Sequence, residues 1–122
     1  MRERILLIDD DVAVLRTLEI VLGDRGYDVT TAKDGVEGMR MFHRVHPDLV
    51  ITDLIMPEKE GIETIMEMRR ERPDAKIIAI SGGGRLHNTN FLEVAAKLGA
   101  CSVLAKPFSP DELAQRIEEA IR

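Results

Sequence analysis

The chain has 122 residues, 44% of them hydrophobic, and carries 17 basic and 22 acidic side chains for a net charge of -5. That length suits one compact domain over residues 1–122, the apolar content is enough to build a core, and an acidic balance without a basic stripe disfavours direct nucleic-acid binding. The apolar runs fall far short of a membrane span, MRERILLIDDD turns acidic after four apolar residues and is no signal peptide, and the single cysteine, Cys101, cannot form an internal disulfide, which fits a cytoplasmic setting.

The first apolar run is ILLI, Ile5–Ile8. It does not alternate with polar residues, as expected of a strand covered on both faces in a parallel sheet. Val14, Leu15, Leu18, Val21 and Leu22 then recur at helical period, and Gly26 supplies a stop. The mixed stretch DVTTA, Asp28–Ala32, suits an edge strand. Asp34 and Glu37 have capping-box spacing before a helix over Val36–Val45, which Pro47 ends.

The second half repeats the alternation. LVIT, Leu49–Thr52, reads as a buried strand, followed by a helix through Ile62, Ile65, Met66 and Arg69 that closes at Pro73. IIAI, Ile77–Ile80, precedes a helix pattern of Phe91, Val94, Ala95 and Leu98 with Gly99 after it. VLA, Val103–Ala105, leads to a last helix opened by Ser109, Pro110 and Glu112, with Leu113, Ile117, Ala120 and Ile121 on its apolar face. Strand–helix repeated five times, with right-handed crossovers, predicts a doubly wound α/β domain with helices on both faces of a five-stranded parallel sheet.

Ligands in such folds sit beyond the carboxyl ends of the strands. Asp9, Asp10 and Asp11 follow the first strand, Asp53 the third, Ser81 and three glycines the fourth, and Lys106–Pro107 the fifth. A parallel sheet brings these to one edge. Two carboxylates about 4 Å apart repel by roughly 4 kcal/mol at an effective dielectric near 20, so the cluster calls for a cation. Oxygen donors without nearby cysteine or clustered histidine favour a hard ion, Mg²⁺. Carboxylates, a metal, an ammonium and a hydroxyl together are the equipment of phosphoryl transfer.

Taken in order, ILLIDDD, DLVITDLIMPEKEG, IIAISG and VLAKPF resemble the receiver domains of bacterial two-component response regulators over essentially the whole chain. The resemblance implies sheet order 2-1-3-4-5. It implies that Asp53 accepts a phosphoryl group from a sensor histidine kinase or phosphotransfer protein, and that a conformational change passes the signal to a downstream effector the sequence does not name. It also implies Mg²⁺ on Asp10, Asp53 and the backbone carbonyl of Ile55, with Asp9 acting through a bound water. Lys106 pairs with Asp53 and then with the phosphoryl oxygens, Ser81 turns to bond them, and the Lys106–Pro107 peptide is cis. Such a domain promotes its own phosphorylation and dephosphorylation but is a signalling module rather than an enzyme, without membrane insertion.

Three positions depart from the family pattern. Val103 stands where an aromatic switch residue is common, Ile55 and Gly83 stand where polar side chains often tune loss of the phosphate, and SGGGR places three glycines beside the site. Val103 keeps open a phosphorylation-independent receiver-like interaction module. A haloacid-dehalogenase-like phosphatase would place its nucleophile after the first strand and needs a cap for which this chain is too short. A flavin-binding flavodoxin-like domain would be yellow. Asp11 reads as a helix cap. His43 and His46 read as surface residues, His87 as a loop residue near the site, and Cys101 as a small buried residue.

Overall fold

The computed structural model describes residues 2–54, 61–81 and 102–122, the side chain of Ser81 excepted. The expected helix at Phe91–Leu98, the glycines after Ser81, Ile55, Met56–Pro57, His87 and Cys101 lie outside the described residues. In chain order the elements are β1 (Arg4–Ile8), α1 (Val12–Asp24), β2 (Asp28–Ala32), α2 (Gly35–Val45), β3 (Leu49–Asp53), α3 (Gly61–Glu71), β4 (Ile77–Ser81), β5 (Ser102–Ala105) and α4 (Pro110–Ile121). The five strands form one parallel sheet in the order β2-β1-β3-β4-β5. β2 is an edge strand and is only partly buried, as its mixed composition predicts.

Side-chain alternation along the strands divides the core in two. Leu6, Ile8, Val50, Ile77 and Ala79 meet Met39 and Phe42 of α2 and Ile65 and Met68 of α3. Ile5, Leu7, Leu49, Ile51, Ile78, Ile80 and Leu104 meet Leu15, Leu18 and Leu22 of α1 and Leu113 and Ile117 of α4. Most of these residues are inaccessible to solvent, and each fully buried Leu or Ile contributes about 1.5–3 kcal/mol before entropy is charged against it. Among the described residues no helix is long and apolar enough to cross a membrane.

The helix ends follow local chemistry. Asp11 caps α1, accepting from the N–H groups of Ala13 and Val14, and Gly26 takes the positive φ of 95° that the turn after α1 requires. Ser109 and Glu112 form the complete capping box of α4, with Pro110 in its first turn. At α2 only half of the expected box forms. Asp34 accepts from the Glu37 N–H, but the Glu37 carboxylate takes the N–H of Lys33 instead of that of Asp34. α2 also ends on His46 in the left-handed region (φ 53°), one residue before Pro47. His43 lies on the surface and pairs with Glu71 of α3 at 2.7 Å.

Candidate functional site

The alternation that builds the core also builds the site. In β1 the residues facing α1 and α4 are Ile5 and Leu7, and the next residue of the same parity is Asp9. In β3 they are Leu49 and Ile51, and the next is Asp53. In β5 the residue is Leu104, and the next is Lys106. The register pairs Leu7 with Ile51 and Ile8 with Thr52, which leaves Asp9 and Asp53 side by side at the carboxyl edge.

The three side chains meet there. The Lys106 Nζ donates to Asp9 Oδ2 and to Asp53 Oδ2, each at 3.2 Å. Asp9 and Asp53 are both buried, at 2% and 5% exposure, so these are carboxylates largely withdrawn from water rather than surface acids. Asp53 is the last residue of β3 and not a residue beyond it. The Asp9 Oδ1 accepts the Asp11 N–H at 2.9 Å, so the residue that caps α1 also steadies the acid. Asp10 is exposed. The Lys106–Pro107 peptide is cis. Ser81 is the last residue of β4, in register with Ala105. Val103 is half-buried and packs against the core on the α2–α3 side of the sheet.

Charge at the site is only partly balanced. Burial holds the Asp9 carboxyl above its ordinary value of 3.8. The Asp11 N–H pulls it back, Asp53 pushes it up again, and Lys106 lowers it without reversing the shift. Burial alone would lower the Lys106 pKa, but Asp53 and Asp9 outweigh it and the ammonium titrates above its ordinary 10.5. One carboxylate oxygen from each of Asp9, Asp10 and Asp53 lies within 4.8 Å of the others. An all-oxygen donor set with one solvent-facing member fits a hard cation that keeps part of its water shell, as Mg²⁺ does.

The raised Asp9 value has a testable sign. An acid whose pKa is higher in the folded state favours folding when protonated. Its contribution is full below pH 3.8 and is lost as pH rises through the folded value. Asparagine mimics the protonated form at all pH values. In metal-free buffer Asp9→Asn is therefore expected to be more stable than the parent at pH 7, by about 1 kcal/mol, and to lose that advantage near pH 3. Urea melts at the two pH values measure it, and a difference that does not change with pH would contradict the account.

Comparison with known proteins identifies the family. The family model for the response regulator receiver domain matches residues 5–118. A probable transcriptional regulator, ycf27, of Porphyridium aerugineum is 40% identical over 121 residues, which are 99% of this chain and 49% of that protein. The transcriptional regulatory protein GlrR of Escherichia coli is 36% identical over 96% of this chain and 26% of its own length. The crystal structure of a CheY-like receiver domain protein from Methanospirillum hungatei superimposes with a TM-score of 0.91 at 29% identity, covering 99% of this chain and 94% of that one.

The chain belongs to the response regulator receiver domain family of two-component signalling systems. It spans about half the length of the ycf27 relative and about a quarter of GlrR.

Proposed function

We propose that Asp53 is the phosphoacceptor of this receiver. The observation that carries the reading is the pair of buried carboxylates, Asp9 and Asp53, bridged by the Lys106 ammonium at 3.2 Å to each. A carboxylate oxygen of Asp53 attacks the phosphorus of a phosphohistidine on a sensor kinase or phosphotransfer protein. The new O–P bond forms as the N–P bond breaks, and the imidazole nitrogen keeps the electron pair. Lys106 holds the nucleophile in place and then neutralises charge on the transferred oxygens. Ser81, at the end of β4, hydrogen-bonds the phosphoryl group. Asp10, Asp53 and the carbonyl of Ile55, with Asp9 through a water, would hold Mg²⁺, which when bound would offset the carboxylate repulsion and the charge of the incoming phosphoryl group. The names of the longer relatives support gene control as the output, and phosphoryl transfer from a histidine kinase supports a cytoplasmic setting.

Incubation with acetyl phosphate and Mg²⁺, followed by mass mapping, is expected to find a single modified residue, Asp53. Asp53→Asn is expected to take up no label. Modification elsewhere, or labelling of the Asn variant at the parent rate, would remove the assignment.

The metal has its own readout. Millimolar Mg²⁺ is expected to raise the melting temperature of the parent, because a ligand held only by the native state stabilises by mass action, about 2.7 kcal/mol at a hundredfold excess over Kd. Asp10→Ala is expected to abolish most of that rise. Melts of the parent that do not respond to Mg²⁺ would count against the metal site.

A further inference from the structure

Thr52 precedes Asp53 and is wholly buried on the opposite face of the sheet, among residues of the core under α2 and α3. A hydroxyl in such a place needs a partner, and valine would fill the same space without needing one. The Thr52 Oγ1 donates to the backbone carbonyl oxygen of Asp53 at 3.0 Å. This peptide and the Leu54 carbonyl after it are held from other directions. The Leu54 N–H donates to the Ile80 carbonyl at 3.0 Å, and the Leu54 carbonyl accepts the Gly61 N–H at 3.0 Å. Gly61 lies so close that a Cβ built on it would fall 1.9 Å from the Asp53 carbonyl oxygen.

We infer that Thr52 is a positioning residue for phosphoryl transfer, its hydroxyl fixing the Asp53–Leu54 peptide and through it the direction in which the Asp53 carboxylate leaves the strand end. A tilt of that peptide changes ψ at Asp53 and moves its Cα–Cβ bond relative to Asp9 and Lys106. Those two groups are tied to other strands and do not follow. A nucleophile displaced by a fraction of an ångström loses rate steeply, by about 100-fold for a full 1 Å. The inference rests on Asp53 being the phosphoacceptor, and the test below separates the two.

Phosphorylation rate constants with acetyl phosphate at saturating Mg²⁺ are measured for the parent, Thr52→Val, Thr52→Ser and Asp53→Asn. Thr52→Val keeps the shape and removes the hydroxyl, and is expected to react about tenfold more slowly. Thr52→Ser keeps the hydroxyl and loses a methyl group. It is expected to stay within about twofold of the parent even though the lost methyl lowers its melting temperature. That ordering, stability falling in one variant and rate in the other, is not what a purely structural role gives. A Val variant at the parent rate overturns the inference, as does a Ser variant as slow as Val. Should Thr52→Val fold poorly, the contrast between Thr52→Ala and Thr52→Ser decides in the same way, with equal rates overturning it. Labelled Asp53→Asn would instead overturn the phosphoacceptor assignment, whatever Thr52 does.

Discussion

Gly61→Ala is expected to destabilise the protein by about 3 kcal/mol or more and to abolish most of its phosphorylation. The added methyl would fall 1.9 Å from the Asp53 carbonyl oxygen, 2.7 Å from the Leu54 Cα and 2.8 Å from the Asp53 carbonyl carbon. All three are backbone atoms, so no rotamer change relieves the overlap. Gly38 makes a useful contrast. A Cβ there meets the Cδ1 of Ile8 at 2.5 Å, the far end of a flexible side chain, and the cost is correspondingly smaller. At Gly61 either α3 moves off the sheet, opening the core around Ile65 and Met68, or the end of β3 is pushed away from it. The first outcome costs burial. The second breaks the Leu54 N–H to Ile80 bond and moves Asp53 from Lys106. For a domain whose total stability is about 5–15 kcal/mol the loss is a large share, and the urea midpoint should fall with little change in slope. A Gly61→Ala protein with the parent's midpoint and the parent's labelling rate would mean that the close approach is not a constraint.

This constraint shows why some of the molecule is legible in its sequence and some is not. Apolar strands and helical periods are local, and with right-handed crossovers they predicted a doubly wound parallel sheet, while its order 2-1-3-4-5 was implied by the family resemblance. Asp9, Asp53 and Lys106 were legible because each follows an apolar run and continues its parity, so placing the strands places the charges. Ser109, Pro110 and Glu112 cap the last helix as their spacing requires. The failures depend on where the chain goes next. Asp34 and Glu37 have the same spacing as Ser109 and Glu112, yet Glu37 reaches Lys33, since the chain entering α2 presents that N–H instead. His46 ends α2 in a left-handed conformation that no glycine or asparagine announces. Gly61 stands in the sequence as one glycine of a motif, but its necessity comes from the chain returning against Asp53 eight positions earlier. Thr52 reads as a strand residue, and only the location of the Asp53 carbonyl gives its hydroxyl a task. The environments of the first two acids were less legible: Asp9 is buried and bonded to Lys106 and the Asp11 N–H, while Asp10 faces solvent.

Lys106→Met is expected to slow phosphorylation from acetyl phosphate by about 100-fold, or about 2.7 kcal/mol in barrier. Methionine keeps much of the apolar stem and removes the charge. In the parent the ammonium lies 3.2 Å from both Asp9 and Asp53, and at an effective dielectric near 20 each contact is worth about 5 kcal/mol of attraction before desolvation is subtracted. Attraction wins, because the Lys106 pKa is raised although burial opposes it. Without the ammonium, two buried carboxylates face each other and the nucleophile has lost a tether that no metal replaces from the β5 side. Arginine is not an equivalent replacement, since its planar fork is longer and cannot place one point charge between the two oxygens. The pH dependence gives an independent check. A base whose pKa is raised in the folded state stabilises the fold when protonated, so its contribution is present below pH 10.5 and disappears as pH rises through the folded value. The parent should therefore lose stability above pH 10.5 by a step that Lys106→Met lacks. Labelling at the parent rate in the Met variant would show that the ammonium neither holds Asp53 nor meets the phosphoryl group. Alkaline melts that coincide in the two proteins would show that its attraction to Asp9 and Asp53 is not expressed in the fold.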